Sequence, residues 1–453
     1  MTTTSTHRWI DVRHGERAIA SLLAIDLFVV LVAYYVLKTA REPLILASGG
    51  AELRSYAAGM QALVLVPLVP AYGAAVARHR RERFVPFVIA AFIACTLLFA
   101  LAATLRLPGL GIVFYVWVGV FSLMIVAQFW SVANDVLTEE QGKRIFPVIG
   151  LGATLGAAAG AHIASSLFDS GSSVIALFAV AALLLALHFA LTTWVMRTHP
   201  PRPPRQDHHE ETTNGFVLLW RNPYLRAIAV MMLVANLVNT IGEYVLSRTA
   251  LEDAHLELAR HLAMDPTLDP QAFVESRIGA FYGDFFFHVN VLAIALQLGA
   301  VSLIVRKLGV RGAVLALPIV ALGSYSLIAV GASLMIVRAA KIAENATDYS
   351  IMNTGRALLW LPTTPLEKYS AKQAVDSFFV RAGDVFAAGV VLVGARMLDL
   401  GVQSFAIFNV ALCVGWIALV VRLGKRHEAL PRHTRLAAPS VEPASSTDAA
   451  ATA

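Results

Sequence analysis

Residues 19–43 read IASLLAIDLFVVLVAYYVLKTAREP, and this stretch decides the fold class. From Ile19 to Leu37 it is apolar except for Ser21 and Asp26. About 20 mostly apolar residues are enough to cross a bilayer as a helix. The run closes on Lys38, Arg41 and Glu42, whose i, i+3, i+4 spacing puts all three charges on one helix face. A charge at membrane depth is costly and is kept facing a protein interior or a wet cavity. The cluster is therefore either a structural clasp or part of a path for a charged solute.

Composition extends this reading to the whole chain. Of 453 residues, 57% are hydrophobic and only 15% are charged, with a mean hydropathy of +0.67. Soluble domains carry about 25% charged residues. A deficit repeated along the chain marks a polytopic membrane protein. The net charge of +6 does not point to nucleic acid, because the basic residues gather in short loops between apolar runs. Cys95 and Cys413 both fall in apolar runs, giving no disulfide or metal framework. The first apolar run is longer than a signal-peptide core and lacks a small-residue cleavage site, so it reads as a retained span.

Twelve runs are long and apolar enough to span: approximately 18–46, 53–77, 84–105, 109–136, 146–167, 172–196, 224–249, 278–305, 311–332, 334–360, 372–398 and 401–423. One alternate set of loops carries most of the Lys and Arg, including Arg78 to Arg83, Lys143-Arg144, Arg306-Lys307 and Arg422 to Arg426. Basic loops face the cytoplasm. The pattern thus predicts both termini in the cytoplasm and the protein in the cell (inner) membrane.

The Pro-rich segment 198–222, containing PPRPPRQDHHEE, reads as an extended cytoplasmic linker. It divides the chain into a six-helix half at 1–197 and another at 223–426, with a disordered cytoplasmic tail at 427–453. The outer loop 251–276 is acidic, and its early part reads as a short helix outside the membrane. Tyr35-Val36-Leu37-Lys38-Thr39-Ala40 aligns, with one insertion, to Tyr244-Val245-Leu246-Ser247-Arg248-Thr249-Ala250, each near the outer end of the first helix of its half. The expected fold is an all-α membrane protein of twelve transmembrane helices in two six-helix halves. Parallel halves with the solute path between them form the major-facilitator arrangement.

Polar residues inside these spans are the candidate site. Lys38 and Arg41 are joined by Arg338 and Lys341 on the tenth span and Arg381 on the eleventh. Asn134, near the cytoplasmic end of the fourth span, is a further candidate contact, or else a helix cap. Glu42, Glu243, Asp284, Glu344, Asp348, Asp376 and Asp384 supply carboxylates for pairing or proton coupling. Residues 338, 341, 345 and 348 form a stripe on one helix face. Any one charge is explained by a buried pair fixing helix register. A hydrophilic cavity accounts for all of them together, because buried pairs stabilise weakly. Lys and Arg there suit an anion. The glycines 150, 152, 156 and 160 open the fifth span at helix-packing spacing, and no Lys-Ser or Lys-Thr follows them to make a phosphate loop. No catalytic spacing, metal cluster or cofactor motif is present, so an enzyme is not expected.

These residues also carry a family resemblance. The first span has Tyr35, Leu37-Lys38 and Arg41-Glu42; the fourth has Phe129-Trp130, Asn134, then Glu139-Glu140, Lys143-Arg144 and Phe146-Pro147. Later come Pro365, Lys368, Lys372, Asp376 and Arg381-Ala382-Gly383. In this order the motifs resemble the bacterial and plastid ATP/ADP antiporter (NTP/NDP exchange) family. The resemblance implies a twelve-span, major-facilitator-like antiporter exchanging ATP for ADP or related phosphorylated anions by alternating access. The chain departs from the pattern at Met352 to Ala357, where carboxylates are missing, and at Asp384, where a Lys is common and whose charge suits it to hold Lys38 as a clasp. A ligand less charged than a polyphosphate thus stays open. Two other readings also stay open: a proton-coupled carrier for another organic anion or drug, and a transporter-fold membrane sensor. The expected partners are an anionic small molecule and the bilayer, with the monomer as the working unit.

Overall fold

The computed structural model describes residues 13–199, 215–331, 333–364 and 367–429. Most of the expected linker, the tail beyond residue 429 and Pro365 lie outside the described residues. Among those described, all regular structure is helical. In chain order the helices are α1 (Arg17–Arg78), α2 (Arg81–Thr104), α3 (Leu110–Val136), α4 (Glu139–Asp169), α5 (Val174–Thr198), α6 (Gly215–Arg221), α7 (Pro223–Met264), α8 (Pro270–Ala329), α9 (Leu334–Thr347), α10 (Asn353–Leu359), α11 (Lys372–Met397) and α12 (Val402–Ala429).

Nine of these are long and apolar enough to cross a membrane, among the described residues. Two are too long for one crossing. The 62 residues of α1 and the 60 of α8 would each reach about 90 Å at 1.5 Å per residue, three times a hydrocarbon core of about 30 Å. Both are broken by glycine. Gly50 takes φ 77° and Gly309 φ 65°, left-handed values that a side chain disfavours. Each long helix is therefore two spans folded back at a glycine. The tenth apolar run is helical through α9, the π-helical turn Asp348–Met352 and α10. This arrangement accommodates the twelve apolar runs.

The expected short helix after the seventh span is instead an unbroken continuation of α7 to Met264. Residues 250–264 are mostly Ala, Leu, Glu, Arg and His, without Gly or Pro, so nothing stops the helix before Asp265-Pro266. Arg277 Nε ties this projection down through Glu257, 2.5 Å away.

Two hydrophobic cores organise the bundle. One is drawn wholly from residues between Ile19 and Met196. The other runs from Leu219 to Leu423 and takes in Tyr35, Ile45, Tyr115 and Ala161 from the first part of the chain. Inside the first core, buried Asp26 accepts from Thr192 at 2.9 Å and meets His188 Nδ1 at 2.7 Å, tying the first span to α5. Near the start of α1, Arg144 bonds Glu16 and holds its carboxyl below the usual carboxylate range. That tie is present at neutral pH and is lost only as pH falls through the lowered value.

The glycines of α4 permit the tightest packing. A Cβ at Gly160 would lie 2.9 Å from Val32 Cα, and Gly152 and Gly156 face the backbones of Ala24 and Phe28 in the same way. Gly150 faces open space. The four-residue step on both helices lets α4 lie backbone-to-backbone along the first span. Gly156→Val is therefore expected to lower thermal stability in detergent by about 1–3 kcal/mol through overpacking. The same change at Gly150 should leave the melting temperature within error.

Two ends of the bundle are distinct. The basic end carries the connections at 79–80 and 137–138, the segment 215–222 and residues 360–364. The opposite end carries Gly49-Gly50 and the turns at 105–109, 170–173 and 265–269. Among the described residues, hydrogen bonds that join residues before 200 to residues after 214 lie at the centre of the bundle, as from Tyr35 to Asn290 and from Arg54 to Glu243, or toward the opposite end. Ser276 donates to Phe168 O at 3.1 Å, Ser165 to Ala280 O at 3.2 Å, and Tyr244 to Glu52 at 2.9 Å. Gly283 lets α8 approach α4 there, its Cβ position being 2.7 Å from Ser165 N.

Candidate functional site: a central cavity bounded by ion pairs

A cavity of about 200 Å³ lies where the two parts of the chain meet. The first span supplies Lys38 and Arg41, and the second supplies Arg54 and Gln61. Tyr115 comes from α3 and Phe286 from α8. From α7 come Asn236, Asn239, Thr240 and Glu243, spaced i, i+3, i+4 and i+7 on one face. Asn345, Asp348 and Tyr349 face in from the tenth span, Arg381 and Asp384 from α11.

The charges are paired in a chain across the two parts. Glu42 is fully buried and pairs with Arg41 and, at 2.6 Å, with Arg54 Nε. Arg54 Nη2 reaches Glu243 at 3.1 Å. Glu243 accepts from Asn345 at 3.1 Å and lies 3.6 Å from Lys341 Nζ. Lys341, fully buried, pairs with Glu344 at 3.1 Å and donates to Asn239 at 3.2 Å. Tyr325 donates to Glu344 at 2.8 Å and closes the chain. Lone buried charges of this kind would be prohibitively costly, so the pairing is a condition of their presence.

Lys38 is held differently. Its Nζ lies 4.2 Å from the centre of the Phe286 ring, 4.9 Å from Tyr35 and 5.9 Å from Tyr349. The Tyr35 hydroxyl is itself fixed by donating to Asn290 at 3.2 Å. Arg41 stacks on Tyr115 at 4.1 Å while bonded to Glu42. Aromatic faces attract a cation without neutralising it. A clasp between Lys38 and Asp384 is not formed. Asp384 instead accepts from Asn236 and Thr240, each at 2.7 Å, and lies 3.6 Å from Arg381.

Of the residues singled out in the sequence, Lys38, Arg41, Glu243, Asp348, Arg381 and Asp384 line this cavity, with Glu42, Lys341 and Glu344 directly behind them. Four others lie elsewhere. Arg338 pairs with Asp284 and packs its guanidinium 5.8 Å from Phe281. Asn134 is exposed at the basic end, next to the Asp135–Arg81 pair. Asp376 is exposed beside Lys372 in a second cavity of about 230 Å³. That cavity leads back to the centre through a smaller one of about 50 Å³. Asn236, Asn239 and Asp348 are shared at one junction, Met232 and Arg356 at the other. Together the cavities trace a route from the central site toward the basic end.

Sequence reasoning missed Arg54. The glycine break between Glu42 and Arg54 destroys any helical spacing between them, yet Arg54 is a lone base near the start of the second apolar run and the rule applied to Lys38 covers it. Gln61, Tyr115 and Tyr349 carried no comparable signal.

No family profile matches the chain, and no curated protein sequence matches it. Solved structures do. The nucleoside transporter NupG superposes with a TM-score of 0.63 at 13% identity, covering 88% of this chain and 98% of that one. A bacterial homologue of the iron transporter ferroportin, in an inward-facing state, gives 0.62 at 14% identity over 90% and 99%. The human organic anion transporter MFSD10 gives 0.55 at 15% identity over 90% and 100%. Identities this low establish the fold alone, and the fold is that of the major-facilitator transporters.

Proposed function

We propose that the protein is a secondary transporter that carries an organic anion across the cell membrane by alternating access. Lys38 carries the reading: a cation facing a central cavity, held by three aromatic rings, with no carboxylate within 4 Å among the described residues. Such a site gains most from an arriving anion, because the charge is already desolvated and positioned. In this reading two six-helix halves, 1–197 and 223–426, rock about the cavity. The basic end faces the cytoplasm, as the Lys and Arg of its loops favour. Bonds between the halves at the opposite end support a conformation open toward the basic end.

The sequence resemblance supports a finer reading, exchange of ATP for ADP. Uptake of labelled ADP into proteoliposomes preloaded with ATP tests it, beside a panel of labelled organic carboxylates. Uptake that requires a counter-substrate inside and ignores the proton gradient is the result expected for exchange. No flux of any anion would remove the transporter reading. One observation favours proton coupling instead: Glu344 is buried between Lys341 and the Tyr325 hydroxyl, where it can trade one partner for a proton. Uptake that collapses with a protonophore and survives Glu344→Gln only as exchange would assign that role.

A further inference from the structure

The ion pairs around the cavity leave one positive charge over. Arg41 and Arg54 share Glu42, and Arg54 also reaches Glu243. Lys341 stands between Glu243 and Glu344. Arg356 pairs with Asp348, and Arg381 with Asp384. Five carboxylates thus face five guanidinium and ammonium groups. Lys38 is the sixth base, and no carboxylate lies within 4 Å of it among the described residues.

We propose that the cavity takes a small organic monoanion: one carboxylate pairs with Lys38 while a planar body lies against Phe286 and Tyr349. This rests on the cavity being the solute site of a transporter, and it narrows the solute away from nucleotides. A nucleoside triphosphate brings several negative charges. To meet them, Arg41, Arg54 or Arg381 must leave its carboxylate, and Glu42 and Asp384, one fully buried and one half-buried, would then be left uncompensated.

The test is a charge series on one ring: benzamide, benzoate, phthalate and trimesate, with ADP alongside. Binding is read as thermal stabilisation of the full-length protein in detergent, and transport as uptake of labelled benzoate into proteoliposomes. The expected order puts benzoate first, at least about tenfold tighter than benzamide or phthalate, with trimesate and ADP weakest. Asp384→Asn leaves two positive charges, so phthalate should then bind at least as tightly as benzoate. Glu243→Gln removes a negative charge at a different place and should move the order the same way. Lys38→Gln should abolish the advantage of benzoate over benzamide. Affinity that rises with charge in the wild type, an order unmoved by both carboxylate variants, or no benzoate binding would each overturn the proposal. If ADP crosses and benzoate does not, the monoanion class falls and the transporter reading stands. If nothing in the series binds or crosses, both fall.

Discussion

Replacing Lys38 by Gln is expected to remove solute binding and uptake while the protein still folds. Among the described residues Lys38 has no ion-pair partner, so its removal orphans no buried carboxylate. What is lost is the charge that meets the solute and its contact with Phe286, Tyr35 and Tyr349. Truncating one side of a desolvated charge pair costs about 2–5 kcal/mol, roughly 30-fold or more in affinity. The cation–π contacts contribute about 0.5–2 kcal/mol to the folded state, and an amide in the same place retains part of the packing. The melting temperature should therefore move little. Lys38→Arg, which keeps the charge but spreads it over a plane, should retain partial uptake. A Lys38→Gln protein that transports at the wild-type rate would exclude Lys38 from the solute path.

Glu42→Gln is expected to act in the opposite way, on stability before function. Glu42 is fully buried and serves both Arg41 and Arg54. Without it, among the described residues, Arg41 has no carboxylate and Arg54 keeps only Glu243. Removing one partner of a buried ionic cluster costs about 3–5 kcal/mol, because the remaining charge stays buried. That is a large part of the 5–15 kcal/mol by which proteins are typically stable, so poor expression and a strongly lowered melting temperature should follow. Glu42→Gln combined with Arg41→Gln restores charge balance and should recover much of the loss. Tryptophan fluorescence through a thermal ramp, on single and double variants, reads both effects. Equal stability of Glu42→Gln and wild type would mean that Glu42 does not neutralise this pair.

The contrast between these residues shows what was legible in the chain. Hydropathy marks the spans because backbone and side chains must both suit lipid, and that signal is long-range along each run. Gly50 and Gly309 were harder to read as fold-back points, since glycine is also common inside membrane helices. The continuation of α7 to Met264 was hidden by its charge, which looks like a loop although its residues favour helix.

At the site, intrahelical spacing gave Lys38, Arg41 and Glu42 one face, and the stripe through Lys341, Asn345 and Asp348 another. It gave no means of choosing partners between helices. Arg338 belongs to the same stripe, yet it pairs with Asp284 away from the cavity. Asp384 was matched to Lys38 by charge alone, whereas Arg381, three residues earlier on the same helix, is beside it together with Asn236 and Thr240. The π-helical turns at Asp348–Met352 and Val375–Phe379 flank the cavity route and left no trace in composition.

The most direct test of rocking about the central cavity is a reversible cross-link at the opposite end. Arg106 and Asp269 meet there across the two parts of the chain, Nη2 to Oδ2 at 3.7 Å, and both are exposed. In the double variant Arg106→Cys, Asp269→Cys, a bifunctional methanethiosulfonate reagent should stop proteoliposome uptake and reductant should restore it. Uptake that continues in fully cross-linked protein would contradict alternating access about this cavity.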